Sequence, residues 1–101
     1  TQLGSVMADL NEKKVACAQI IIVVHGQSPD YAMLRPHLRS LLVINRVSIL
    51  IVPIIEKDFV RDKRYYAGLV VNQEFLIEPL SQDTIKRAYR ESPVLSCQPL
   101  F

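Results

Sequence analysis

The order of apolar and polar positions divides this chain into segments with different rhythms. Leu3, Val6, Leu10, Lys14 and Cys17 fall on one helical stripe with Met7 and Ala8 beside it, so residues 1–17 predict a short amphipathic opening helix. Gly4 and Ser5 weaken its start. From residue 18 the rhythm changes. Ile20, Ile21, Ile22, Val23 and Val24 form an unbroken apolar run, too short for a helix and rich in β-branched side chains, which predicts a central strand buried on both faces. His25, Gly26 and Gln27 break that strand. Ser28, Pro29 and Asp30 then give a helix start, with a hydroxyl N-cap, Pro at the first helical position and an acid beside the positive end of the dipole. Tyr31, Leu34, Leu38, Leu41 and Leu42 form the apolar stripe of this helix, and Pro36 inside it predicts a kink.

Asn45 and Arg46 end the helix, and residues 47–55 read as a second β-branched strand with Pro53 near its end. Residues 56–65 are charged around Phe59 and Val60 and read as a connection with room for a helical turn. Residues 65–71 and 74–77 read as two short strands around the Asn72-Gln73 break, an antiparallel hairpin. The last helix is the best specified. Ser81 is its N-cap, Asp83 lies in its first turn, Leu80 can staple onto Ile85, and Lys86, Arg87 and Arg90 lie toward its negative end. Ser92 and Pro93 stop it, and an apolar tail of residues 94–101 follows. The tail can add an edge strand or fold back over the core. A strand, helix and strand in sequence imply a parallel pair, and the hairpin would make the sheet mixed.

With 101 residues, half of them apolar and 22% charged, the chain supports a single core: a helix over 1–17, a core over 18–91 and a tail over 92–101. The net charge of +2 is too small to imply a nucleic-acid footprint. No apolar run approaches the roughly 20 residues that span a bilayer. The first residue is Thr1 with no targeting pattern after it, which reads as a processed chain or an excised domain, and its compartment is left open. Cys17 and Cys97 stand eighty residues apart. Their spacing allows two buried thiols or a disulfide, and the disulfide would imply an oxidising compartment. With His25 and His37 as the only histidines, no metal-ligand spacing is present and no cofactor is implied.

Beyond the order of elements, particular residues resemble the thioredoxin-like family over about residues 19–91. The strand at 20–24 runs into Gln27-Ser28-Pro29-Asp30-Tyr31, which is similar to a thioredoxin active-site turn. Pro36 stands five residues after Tyr31, where that family places a kinking proline after its second cysteine. Gly68-Leu69-Val70-Val71-Asn72-Gln73-Glu74-Phe75 resembles the family's final hairpin, and residues 80–87 its closing helix. The resemblance implies an α/β fold with a mixed sheet, β-α-β then hairpin and helix, preceded by an N-terminal helix. A ferredoxin-like α+β sandwich, with the tail as fourth strand, is the alternative.

Two departures bear on function. Ser28 and Tyr31 occupy the two cysteine positions, and thiol–disulfide exchange needs a thiolate that neither can supply, so the turn is expected to be redox-inactive. The family's cis-proline is also replaced, the aligned stretch being Tyr65-Tyr66-Ala67-Gly68. The implied use is non-enzymatic: a protein-interaction or assembly scaffold binding a protein partner around Gln27, Ser28, Asp30, Tyr31, Tyr66 and Ala67. The rivals are a sensory or regulatory domain with a small ligand under the tail, and a thiol enzyme using Cys17 or Cys97. Two clusters have a plain reading beside a functional one. Tyr65 and Tyr66 among Arg61, Lys63 and Arg64 could stack bases or grip an acidic partner, or form a solvated connector. Arg35, His37, Arg39 and Arg46 could bind a partner or form a solvated helix face.

Overall fold

The computed structural model describes residues 2–52, 55–70 and 75–90, which form four helices and a small sheet. The order is α1 (Leu3–Glu12), β1 (Gln19–His25), α2 (Tyr31–Ile44), β2 (Arg46–Val52), a 3-10 turn (Glu56–Asp58), α3 (Phe59–Ala67), β3 (Leu76–Pro79) and α4 (Gln82–Arg90). The parallel pair expected from the first two strands is present, with Ile20 opposite Val47 and Val24 opposite Ile51. Both apolar runs supply β-branched residues to one continuous ladder.

The second half differs from the expected hairpin. Residues 59–67 are helical, and β3 joins β2 in parallel register, Ser48 opposite Leu76 and Ile51 opposite Pro79. Phe59, Asp62 and Tyr66 stand at helical spacing, but the buried position at Asp62 is polar, which interrupts the apolar stripe and leaves the β-favouring tyrosines as the strongest local signal. The Asn72-Gln73 break lies outside the described residues. Every described strand pair is parallel, so the mixed sheet is replaced by the order β1-β2-β3 with helices between successive strands. The ferredoxin-like alternative needs antiparallel neighbours and fails for the same reason. Its fourth strand, residues 94–101, lies outside the described residues.

The interior strand is β2, whose residues 47–51 are all buried, and β1 is an edge among the described residues. The expectation of a central first strand is corrected on this point. Only Ile20, Ile22 and Val24 of β1 are buried in the core, and Val23 on the other face is 55% exposed. On the core side of the sheet, Leu34, Leu38 and Leu41 of α2 and Leu3 and Met7 of α1 join the buried strand residues in one cluster.

Helix boundaries also shift. α1 stops at Glu12 rather than reaching 17, because Lys14 and Cys17 take left-handed backbone with φ of 57° and 58°. The buried side chain of Asn45 holds the resulting turn. Its Oδ1 accepts the Ala18 N–H at 3.0 Å, and its Nδ2 donates to the carbonyls of Val15 at 3.1 Å and Leu41 at 3.0 Å. α2 begins at Tyr31, with Asp30 rather than Ser28 at its N-cap position and no side-chain cap bond. It continues through Pro36, whose ring is exposed, so the missing N–H falls on the solvent side of the helix. At α4 the expected cap is present and reciprocal. Ser81 Oγ accepts the Thr84 N–H at 3.1 Å, and Thr84 Oγ1 accepts the Ser81 N–H at 2.9 Å.

Candidate functional site

The loop after β1 lies at the C-terminal end of the parallel strands, where open α/β sheets form their binding crevices. Gly26 begins it at φ 67°, a left-handed conformation that glycine adopts without a Cβ clash, and its N–H bonds the Val52 carbonyl at 2.9 Å. Two phenols of α3 then fix the turn. The buried Tyr66 hydroxyl donates to the Gly26 carbonyl at 2.7 Å and accepts the Ser28 N–H at 2.9 Å. The Tyr65 hydroxyl donates to the Ser28 carbonyl. Tyr31, Tyr65 and Tyr66 stand edge to face in sequence, with centroids 4.6 Å and then 5.0 Å apart.

Asp30 joins this turn to the opening helix. Its Oδ1 accepts the Ser28 hydroxyl, and its Oδ2 accepts the Gly4 N–H at 2.8 Å. Gln2, the residue before α1, makes no side-chain cap bond, so Asp30 caps α1 from another part of the chain. Burial pushes the Asp30 carboxyl up, but hydrogen bonds from Ser28, Gly4 and its own N–H outweigh that and hold it below the ordinary range. Burial pushes Tyr65 up as well, reinforced by the charge of Asp30 and by Tyr31. It pushes Tyr66 up to about 12, against the Ser28 N–H. Both phenols are therefore neutral donors at pH 7. Both Asp30 oxygens are occupied in holding backbone and side chain, an arrangement that positions chain segments.

Gly4 shows how close that approach is. A Cβ at this position would stand 2.5 Å from Asp30 Oδ2 and 3.4 Å from the Met33 Cβ. Ala is favoured over Gly in a helix by about 1 kcal/mol, yet Gly4→Ala is expected to lower stability by about 1 kcal/mol through loss of the cap. In an Asp30→Ala background the same change should become stabilising. Denaturant titration of the four-member cycle checks this, and additive effects would remove Asp30 as the cap of α1.

Of the expected site residues, the structure brings Ser28, Asp30, Tyr31 and Tyr66 into one bonded cluster, with Gln27 exposed in the same loop. Ala67 is exposed at the end of α3. Tyr66 is wholly buried, so it supports the turn from within and offers no face to a partner. Ser28 spends its hydroxyl on Asp30 rather than on capping α2. Sequence reasoning missed Gly4, Tyr65 as a loop anchor, and Arg35, whose Nε donates to the Leu69 carbonyl at 3.0 Å and ties α2 to the end of α3. The adjacent tyrosines were the available signal. Arg61, in the basic connector, pairs with Asp58 at 3.2 Å. Cys17 is exposed before β1, and Cys97 lies outside the described residues.

A groove of about 650 Å³ runs from this turn along β1, walled by Leu3, Val6 and Leu10 of α1. Its upper end is formed by Gln27, Ser28, Pro29 and Tyr66, and among the described residues no Asp, Glu, Lys or Arg lines it. Among the described residues no cluster of His, Cys, Asp and Glu could hold a metal ion. No helix among them is long and apolar enough to cross a membrane. No known protein family, curated protein or solved structure matches this chain.

Proposed function

We propose that this chain is a non-catalytic protein-interaction or assembly domain that meets its partner at the turn after β1. The observation that carries this reading is the fixed turn at the mouth of an uncharged groove. Extended peptides add to sheet edges in this way, with main-chain bonds giving affinity and side pockets giving selectivity. The likeness to redox-inactive thioredoxin-like domains rests on the β1-α2-β2 unit, on Pro36 within α2, and on Ser28 and Tyr31 in place of a dithiol. It does not extend to a hairpin.

The contact surface in this reading is Gln27, Pro29, the outer edge of Tyr31 and Ala67, with Ser28, Asp30 and Tyr66 holding them in place. Gln27→Arg and Ala67→Arg are expected to weaken binding of a partner isolated from the native source by about tenfold or more while leaving the melting temperature unchanged. Full binding by both variants would move the contact elsewhere. A second reading is favoured by the groove itself, whose volume and apolar lining suit a small ligand. A small ligand would raise the melting temperature in a thermal-shift screen, and the two arginine substitutions would leave that rise largely intact.

A further inference from the structure

β1 carries the sequence of an interior strand at an edge. Residues 20–24 are apolar on both faces, and Gln19–His25 contains no Lys, Pro or other device that blunts an edge. Among the described residues β1 pairs with β2 alone. The groove of about 650 Å³ follows that bare side, and its lining includes every residue from Ile20 to His25 in unbroken succession. Side chains alternate between the two faces of a strand, so a pocket on one face would be lined by every second residue. A groove that touches six in a row runs along the backbone edge, where the ladder donors and acceptors of the strand point.

The walls limit the chemistry that fits. α1 lines one side with Leu3, Val6 and Leu10, of which Val6 is 39% exposed, and Val23 of the strand itself is 55% exposed. Among the described residues no Asp, Glu, Lys or Arg lines the groove, so a charged side chain entering it would give up water with no opposite charge to meet. An apolar ligand without backbone groups would cover the walls but leave the edge donors and acceptors unpaired. A second copy joined edge to edge in antiparallel fashion would bring its own α1 to the same side of the joined sheet, into the space that α1 already walls.

We propose that the groove takes an extended, uncharged peptide segment of a protein partner, which adds to β1 as a strand and sets apolar side chains at alternate positions against Val6 and Leu10. This inference rests on the reading of the chain as an interaction domain and names what its partner supplies. Residues 20–25 span roughly 20 Å, the length of about six residues of extended chain. Main-chain bonds to β1 give the affinity, and the α1 wall selects the alternate residues. At its upper end the segment reaches Gln27, Ser28 and Pro29, in the turn held by Tyr65 and Tyr66.

The test titrates the intact chain, at a concentration where sedimentation shows a monomer, with a capped peptide of alternating valine and threonine. Exchange of the β1 amides that do not bond β2 is expected to slow by about tenfold or more at saturation. Val6→Glu should weaken binding by about tenfold or more with an unchanged melting temperature. A peptide of alternating glutamate and threonine should fail to bind, and so should the valine-threonine peptide with every amide N-methylated. Equal binding of the methylated peptide would overturn the strand and give the groove to small apolar ligands. β1 edge amides already slow in the monomer without peptide would overturn it too, as would protection that appears only as a dimer forms. If the peptide fails while Gln27→Arg and Ala67→Arg still weaken the isolated partner, this inference falls and the interaction domain stands. Peptide binding that survives both arginine substitutions but not Val6→Glu supports the groove and moves the contact off the turn.

Discussion

Replacing Tyr66 with Phe is expected to lower the unfolding free energy by roughly 2–4 kcal/mol, with a fall in melting temperature on the order of 10–20 °C. The ring stays and its packing is kept, so the loss comes from the hydroxyl. That one group satisfies the Gly26 carbonyl at 2.7 Å and the Ser28 N–H at 2.9 Å, and the side chain is fully buried. Removing it leaves two backbone groups without a partner in a region water does not reach, and each such group costs about 1–3 kcal/mol. Tyr65→Phe, which removes a single bond to the half-buried Ser28, should cost about 1 kcal/mol.

The same hydroxyl gives an alkaline signature. Its pKa is raised from 10.0 to about 12, so the stability it contributes is complete below pH 10 and is lost as pH rises toward 12. Tyr66→Phe should abolish that part of the alkaline loss, which amounts to roughly 3 kcal/mol at its limit. Urea titrations from pH 7 to 12 measure both effects. A variant within 0.5 kcal/mol of the parent at pH 7, on the order of an ordinary surface change, would show that the turn does not depend on this bond.

Asn45→Ala is the second large effect, expected at roughly 2–4 kcal/mol. Its side chain fills three bonds between the end of α2 and the turn that leads from α1 into β1, and it is 3% exposed. Truncation strands the Ala18 N–H and the Val15 carbonyl together. Asn45→Asp is the sharper probe. It keeps the shape and the acceptor but places a carboxylate oxygen against the Val15 and Leu41 carbonyls, so at pH 7 it should cost more than alanine. If Asp proves as stable as Asn in denaturant titration at pH 7, the donor half of this network contributes nothing.

How far the sequence revealed the fold depended on whether burial and local pattern agreed. Residues 20–24 and 47–51 announced strands because apolar β-branched runs have few other uses, and their parallel pairing followed from the helix between them. Ser81 announced α4 because its partner Thr84 lies three residues on, within the reach of local rules. α3 was hidden, since Asp62 sits on its buried face where an apolar residue would complete the stripe. The edge position of β1 among the described residues was hidden as well, because its composition is that of an interior strand. At the site, Ser28, Asp30, Tyr31 and Tyr66 were legible as a group, but their roles were not. Asp30 bonds a glycine 26 residues away, and Tyr66 reaches Gly26 across 40 residues, distances at which no periodicity carries information.

The turn from Gly26 to Asp30 is shaped before anything binds to it. A loop that must be ordered by its partner subtracts that ordering from the affinity, at about 0.5–1.5 kcal/mol for each immobilised side chain. Here two phenols from α3 and a carboxylate shared with α1 have already removed that freedom within the folded domain. If the turn has the binding role proposed above, a partner would meet a rigid template, and the free and bound forms of the turn should superpose closely, in the manner of preorganised inhibitor loops. Selectivity in that role would come from shape, with little room for the surface to adapt to a poorly fitting chain.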